Sequence, residues 1–242
     1  EAPMSIWTQL GEYAARIAAV AAVTVGAVVE GVRTVFQGDP ETRRQVAFSV
    51  AMIALSAKMA KADGVVSQDE IRAFHEIFSV PADEMRNVAR LYDLAKADTA
   101  GFETYARKIA SLCGSGKPDC AMLEDILDGL FHIAKADGVM HELESSFLHR
   151  VAAIFGIGER HYQSILARHI NLGEADPYVV LGIQRGMPME QVRARYLKLV
   201  KDNHPDRLIG RGMPVEFVVI ATQRLAAINS AFEVIEHTLK AA

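Results

Sequence analysis

The sequence predicts an all-α protein, on three observations. Half of its 242 residues are apolar but only 7% are aromatic, and the chain is rich in alanine, leucine, methionine and glutamate, all strong helix formers. Apolar residues recur at helical spacing, while β-branched runs are few. A six-residue motif also repeats letter for letter at an offset of 74, the mark of a duplicated helical unit. The length allows one to three domains, with ample chain for a real core. The expected division is an N-terminal helical segment over 1–40, a helical body over 41–172 and a separate C-terminal module over 173–242.

In the N-terminal segment, Met4 reads as the natural start, with Glu1-Ala2-Pro3 left by processing. Ile17 to Val29 carries no charge and is flanked by Arg16 and Glu30. It falls short of the roughly 20 apolar residues that a membrane span needs. No signal-peptide cleavage pattern follows. Ala18, Ala22 and Gly26 form a stripe of small residues of the kind that lets helices approach closely. The segment is expected to serve as a packing helix, as a dimerisation helix (making a homodimer) or as a membrane contact.

In the body, helices are expected at about 42–62, 67–79, 81–97, 101–113, 118–136, 141–155 and 158–170, with Gly, Pro and Ser between them. Antiparallel pairs would bury Val50, Ile53, Leu55 and Met59 from one repeat and Ile126, Leu127, Leu130 and Ile133 from the other. The repeat itself is Ala60-Lys-Ala-Asp-Gly-Val65 and Ala134-Lys-Ala-Asp-Gly-Val139. Its flanks agree as well: Met59 corresponds to Ile133, Glu70 to Glu144 and Phe74 to Leu148.

Much of the motif is helix-end chemistry. Gly64 and Gly138 stand where a left-handed C-terminal cap belongs. Ser67 with Glu70 makes a capping box for the next helix, and in the second copy His141 replaces the serine while Glu144 is kept. Asp63 and Asp137 are left over, since a carboxylate in the last turn of a helix opposes the macrodipole. Twice repeated, this points to a use for the carboxylates, and a hard divalent cation held by oxygen ligands is the candidate. The EF-hand pattern fails at both copies, and His141-Glu142 fails as a zinc-protease motif because Ser145 stands where the second histidine belongs.

The pattern K-A-D-G followed by a glutamate resembles the TerB-type, tellurite-resistance-associated helical domain. That resemblance implies two copies brought together, with Asp63, Glu70, Asp137 and Glu144 as metal ligands for calcium or magnesium. Asp69 would add a ligand in the first copy only, because its counterpart is Leu143.

Beyond a linker at Asn171 to Ala175, Asp176 is placed to cap a short helix with Pro177 at its first position. A second helix runs from about Val192, with Val192, Tyr196, Leu199 and Val200 on its apolar face. Arg193, Arg195, Lys198 and Lys201 fall mostly off that face. The helix stops at His204-Pro205-Asp206, and the proline pushes His204 into an extended conformation. A rigid polar tip at the end of a basic helix suits binding better than catalysis.

Asp176-Pro-Tyr-x-x-Leu-Gly-Ile, the basic helix, His204-Pro205-Asp206 and Leu225-Ala-Ala-Ile-Asn-Ser-Ala-Phe-Glu-Val-Ile235, in that order, resemble a J domain. This is the module that docks on DnaK-type chaperones and stimulates their ATPase. The resemblance implies that Tyr196, Leu199, Leu225, Ile228, Phe232 and Ile235 join the two long helices, with Tyr178 and Leu181 from the short one. It implies that Arg193, Lys198, Lys201 and Arg207 meet acidic groups on the chaperone, and that His204, Pro205 and Asp206 engage its ATPase coupling. Leu197 departs from the pattern by standing at a usually basic position, and Asp202 puts an acid just before the tip. The loop Leu208 to Pro214 is longer than minimal and expected to be mobile.

A TerB-like body followed by a C-terminal J domain is similar to the DjlA family of bacterial DnaJ-like proteins. The resemblance implies a co-chaperone with no enzymatic activity, an unidentified client, and a cytoplasmic setting at the inner membrane. Other features agree. No nucleophile elbow, P-loop or dinucleotide fingerprint is present. Residues 176–242 carry nine Lys/Arg against seven Asp/Glu, a net of +2, and the other residues carry seventeen against twenty-three, a net of −6. That balance argues against nucleic acid and for docking on an acidic protein surface. Cys113 and Cys120 form no disulfide framework, which fits a reducing compartment. The alternative function is a metal-responsive, stress- or envelope-associated scaffold working through the duplicated acidic motif.

Overall fold

The computed structural model describes residues 40–63, 68–78, 80, 82, 85–97, 101–111, 121–170, 174–210 and 217–241. The N-terminal segment, Cys113 and Cys120 lie outside them. Among the described residues the fold is all-α, as the composition predicts, and the chain divides into two compact units, Glu1–Gly156 and Ile157–Ala242.

The first unit is built around α1 (Pro40–Asp63). Every residue from Ala47 to Ala60 is buried, with Phe48, Met52 and Leu55 fully so. A helix buried on every side over this length belongs inside a bundle. Four helices pack on it: α3 (Met85–Ala97), α4 (Phe102–Ser111), α5 (Ala121–Ala134) and α6 (Glu142–Ile154). The other helix among the described residues of this unit, α2 (Gln68–Ile77), packs on α5. The core residues expected from both repeats are all buried: Val50, Ile53, Leu55 and Met59 on α1, and Ile126, Leu127, Leu130 and Ile133 on α5. Lys58 is buried too, and its Nζ lies 4.8 Å from the centroid of the Tyr105 ring, a cation–π contact inside the bundle. Phe102 and Phe147 join α4 to α6, with ring centroids 4.5 Å apart.

The second unit contains α7 (Glu159–His169), α8 (Pro177–Leu181), α9 (Met189–Asp202), α10 (Pro205–Ile209) and α11 (Val218–Ala241). Its core comprises Ala167, Val180, Leu181, Val192, Leu199, Ile228, Ala231, Phe232 and Ile235, flanked by half-buried Tyr178, Tyr196 and Val200. Each fully buried large side chain contributes roughly 1.5–3 kcal/mol. Leu225, expected in the interface, is only half-buried.

The compact units part at Gly156, and α7 makes its contacts with α8 and α11. The Ser164 hydroxyl donates to the Val180 carbonyl at 2.9 Å, and Arg168 Nη2 donates to that hydroxyl at 3.3 Å. Gly182 closes α8 at φ 66, in the left-handed region. A Cβ there would make ordinary contacts with Arg195 Nη2 at 3.4 Å and Ser164 Oγ at 3.5 Å, so α7, α8 and α9 meet at this residue, and it is the left-handed backbone that favours glycine. α11 is also long and apolar enough over Val218–Lys240 to cross a membrane by length and composition alone. Its Ile220, Ala221, Ile228 and Ile235 are buried within this unit.

Candidate functional site

The exposed tip at the end of α9 is built between two buried anchors. Asn203, 5% exposed, caps α9, and Leu208, 2% exposed, sits in α10. Between them His204 and Asp206 face solvent, and the Asp206 carboxylate is 89% exposed. His204 has φ −66 and ψ 134, the extended conformation that Pro205 dictates, and caps α10. Its Nδ1 accepts a hydrogen bond from the Asp206 N–H at 3.3 Å and lies 3.7 Å from Asp206 Oδ2. The Arg207 and Leu208 N–H groups donate to the His204 carbonyl at 2.9 and 3.2 Å. Leu208 and Ile209, expected in a mobile loop, therefore belong to a short helix, while 211–216 lie outside the described residues.

Three of the predicted basic residues on α9, Arg193, Lys198 and Lys201, are exposed, together with Leu197. Arg195 is different: it is half-buried, and its Nε donates to the Leu181 carbonyl at 3.0 Å. Arg207 donates to Asp202 Oδ1 at 2.9 Å across the tip, so the acid just before His204 is an internal partner for the cation just after Asp206. The tip has a further support that the sequence reasoning missed. Arg224 on α11 is 4% exposed, and its Nη1 donates to Asn203 Oδ1 at 2.7 Å. The signal was present, since Arg224 lies four and eight residues before Ile228 and Phe232, on the buried stripe of its helix.

The duplicated acidic motif is described in full only at its second copy. Asp63 closes α1 and Glu70 lies in α2, but their side chains are outside the described set. Asp137 was expected in the last turn of a helix. Instead α5 ends at Ala134, and its end tightens as Ala136 N–H bonds Ile133 O and Gly138 N–H bonds Lys135 O. Gly138 follows at φ 86, the predicted left-handed position. Asp137 Oδ1 accepts from the Val139 N–H at 2.9 Å, and Oδ2 lies 3.6 Å from His141 Nε2. Glu144 is 2% exposed, and its Oε2 accepts from the His141 N–H at 2.9 Å, the predicted cap of α6. Both carboxylates thus satisfy local backbone donors. Among the described residues, no three His, Cys, Asp or Glu converge to hold a metal ion. Beside the motif, burial holds the Lys135 ammonium below its ordinary pKa.

The first unit also opens an apolar cleft of about 340 Å³ between α2 and α3, lined by Ile71, Phe74, His75, Met85, Val88 and Tyr92 among others.

Within the chain, residues 49–167 match the family model for TerB, the tellurite resistance protein, so this stretch is similar to a TerB domain. Along most of its length the chain is also a relative of the DjlA co-chaperones. Co-chaperone protein DjlA of Photobacterium profundum is 28% identical over 218 residues, covering 79% of this chain and 78% of the relative. The Vibrio vulnificus protein of the same name is 25% identical over 235 residues, covering 83% and 81%. That of Coxiella burnetii is 25% identical over 218 residues, covering 81% and 79%. No solved structure matches the chain.

Proposed function

We propose that the chain is a J-domain co-chaperone that stimulates ATP hydrolysis by a DnaK-type chaperone and catalyses nothing itself. The observation that carries this reading is the His204-Pro205-Asp206 arch, with His204 and Asp206 exposed, fixed between buried Asn203 and Leu208 at the end of a basic helix. Relatives named co-chaperones along about four-fifths of the chain support it. In this reading Arg193, Lys198 and Lys201 steer the helix onto an acidic surface of the chaperone and raise the on-rate. Arg207 shares its charge with Asp202 and contributes chiefly to the shape of the tip. His204, Pro205 and Asp206 favour the chaperone state that hydrolyses ATP, and they act by binding that state preferentially. The J domain spans 173–242 and uses α7 as an added buttress. The TerB domain supplies targeting or regulation, including capture of a client. An ATP-hydrolysing partner puts the working site in the cytoplasm, and the N-terminal segment is the proposed contact with the inner membrane or with a second copy.

The test is single-turnover ATP hydrolysis by a DnaK-type chaperone, with the intact chain and with Asp206→Asn. Stimulation by the intact chain that vanishes with the variant is the expected result. No stimulation by the folded chain, with the chaperone from its own source, would overturn the reading.

A further inference from the structure

We infer that Arg224, which is far from the exposed tip in sequence, is a positioning residue for it and acts through Asn203. This inference rests on the function proposed above. Asn203 is the last fixed residue before His204, and all of its polar side-chain atoms are engaged. Its Nδ2 donates to the Leu199 carbonyl at 2.7 Å, and the same carbonyl accepts the Asn203 backbone N–H at 3.0 Å. Its Oδ1 accepts from Arg224 Nη1 at 2.7 Å. Asn203 and Arg224 are 5% and 4% exposed, so the bond is charge-assisted and shielded from water.

The consequence is mechanical. The side chain of Asn203 is tied to α9 on one side and to α11 on the other, so the chain leaves α9 in a set direction. Downstream, Leu208 is held by burial and by its N–H bond to the His204 carbonyl. Four residues, His204 to Arg207, therefore bridge two fixed points, and binding them requires little further ordering. The outer ion pair, Asp202 with Arg207, spans the same arch but is exposed and screened, so it adds much less. Without the Arg224 bond, Asn203 Oδ1 is left buried with no charged donor, and the direction of His204 is no longer tied to α11.

The experiment uses the full chain carrying Arg224→Met, Asn203→Ala or both, and measures single-turnover ATP hydrolysis against co-chaperone concentration. Loss of a charge-assisted bond corresponds to roughly tenfold or more, and we expect the half-saturating concentration to rise about tenfold in either single variant. The double variant should be no worse than the singles, since both break one connection. Arg224→Lys, which keeps a cationic donor, should fall between wild type and Arg224→Met. Amide exchange at Arg207 and Leu208 should be faster in Arg224→Met, well below its melting temperature, while exchange at Val180 is unchanged. A half-saturating concentration equal to wild type in a folded Arg224→Met protein would overturn the inference, as would additive single effects. If Arg224→Met does not fold, Asn203→Ala and Arg224→Lys decide by the same two readouts. If the unaltered chain fails to stimulate at all, the functional reading falls, and the exchange comparison alone decides whether Arg224 orders the tip.

Discussion

The ring of Tyr196 lies flat on that of Phe232, with centroids 4.0 Å apart and planes inclined by 11°. This stack joins the middle of α9 to the middle of α11. The Tyr196 hydroxyl reaches further and donates to Asn229 Oδ1 at 3.1 Å, in an exposed position. The body and the hydroxyl of one side chain therefore do separable work. Phe232→Ala should destabilise the second unit by about 3–5 kcal/mol, through lost burial and a residual cavity. Tyr196→Phe should cost less than about 1 kcal/mol, because only a solvated hydrogen bond goes. Urea denaturation followed by far-UV circular dichroism separates the two. A small effect for Phe232→Ala would mean that the two helices are held mainly elsewhere.

Gly182 and Gly186 make a controlled pair. Both have positive φ, 66 and 83, but a Cβ at 182 meets Arg195 and Ser164 whereas a Cβ at 186 meets nothing within 4 Å. Gly186→Ala should cost only the backbone term, about 1–2 kcal/mol. Gly182→Ala should cost about the same, because 3.4 Å to Arg195 Nη2 and 3.5 Å to Ser164 Oγ are ordinary van der Waals contacts and the left-handed φ is the strain the two share. A markedly larger loss of unfolding free energy for Gly182→Ala would show that Arg195 cannot relax from its bond to the Leu181 carbonyl.

Much of this was legible in the sequence because local and global signals agreed. The seven helices expected in the body lie in the expected order, and the apolar stripes of α1 and α5 are buried as their spacing implied. The Asp176 cap, the extended His204 and the left-handed Gly138 followed from single-residue backbone preferences. What was missed depended on contacts between distant parts of the chain. The attachment of α7 to the second unit rests on Ser164 and Ala167, and nothing near them in sequence names their partner. Arg195 reads as one more surface cation until the Leu181 carbonyl is beside it. Asp137 misled for a local reason: the helix before it ends early, which frees its carboxylate to accept from Val139.

Lys135, inside the repeated motif, gives a pH-dependent prediction. Burial lowers its pKa from the ordinary 10.5. Between the lowered folded value and the unfolded value, the folded chain binds fewer protons than the unfolded one. Stability attributable to this group therefore rises with pH across that window and levels off above 10.5. Lys135→Met removes this dependence, so the stability of wild type relative to the variant should climb as pH increases toward that limit. Lys135 is only half-buried, and solvent screening keeps the whole change under about 1 kcal/mol. Thermal melts of both proteins at neutral and alkaline pH provide the measurement. A difference that does not vary with pH would mean that the ammonium is as well hydrated in the fold as out of it.

The carboxylates of the second motif copy can be assigned to backbone capping or to a cation by changing charge without changing shape. Glu144→Gln keeps an acceptor for the His141 N–H, and Asp137→Asn keeps one for Val139. If capping is their work, both variants should melt close to wild type. Glu144→Ala should lose about 1 kcal/mol, the usual cost of a missing cap, and leave the part-buried His141 N–H without its carboxylate. Calcium or magnesium should then leave the melting temperature of the intact chain unchanged. A rise with either ion that disappears in both Glu144→Gln and Asp137→Asn would give the opposite assignment. It would make Asp63, Glu70, Asp137 and Glu144 the ligands to test next, because neutral amides preserve the caps but are far weaker ligands for a hard cation.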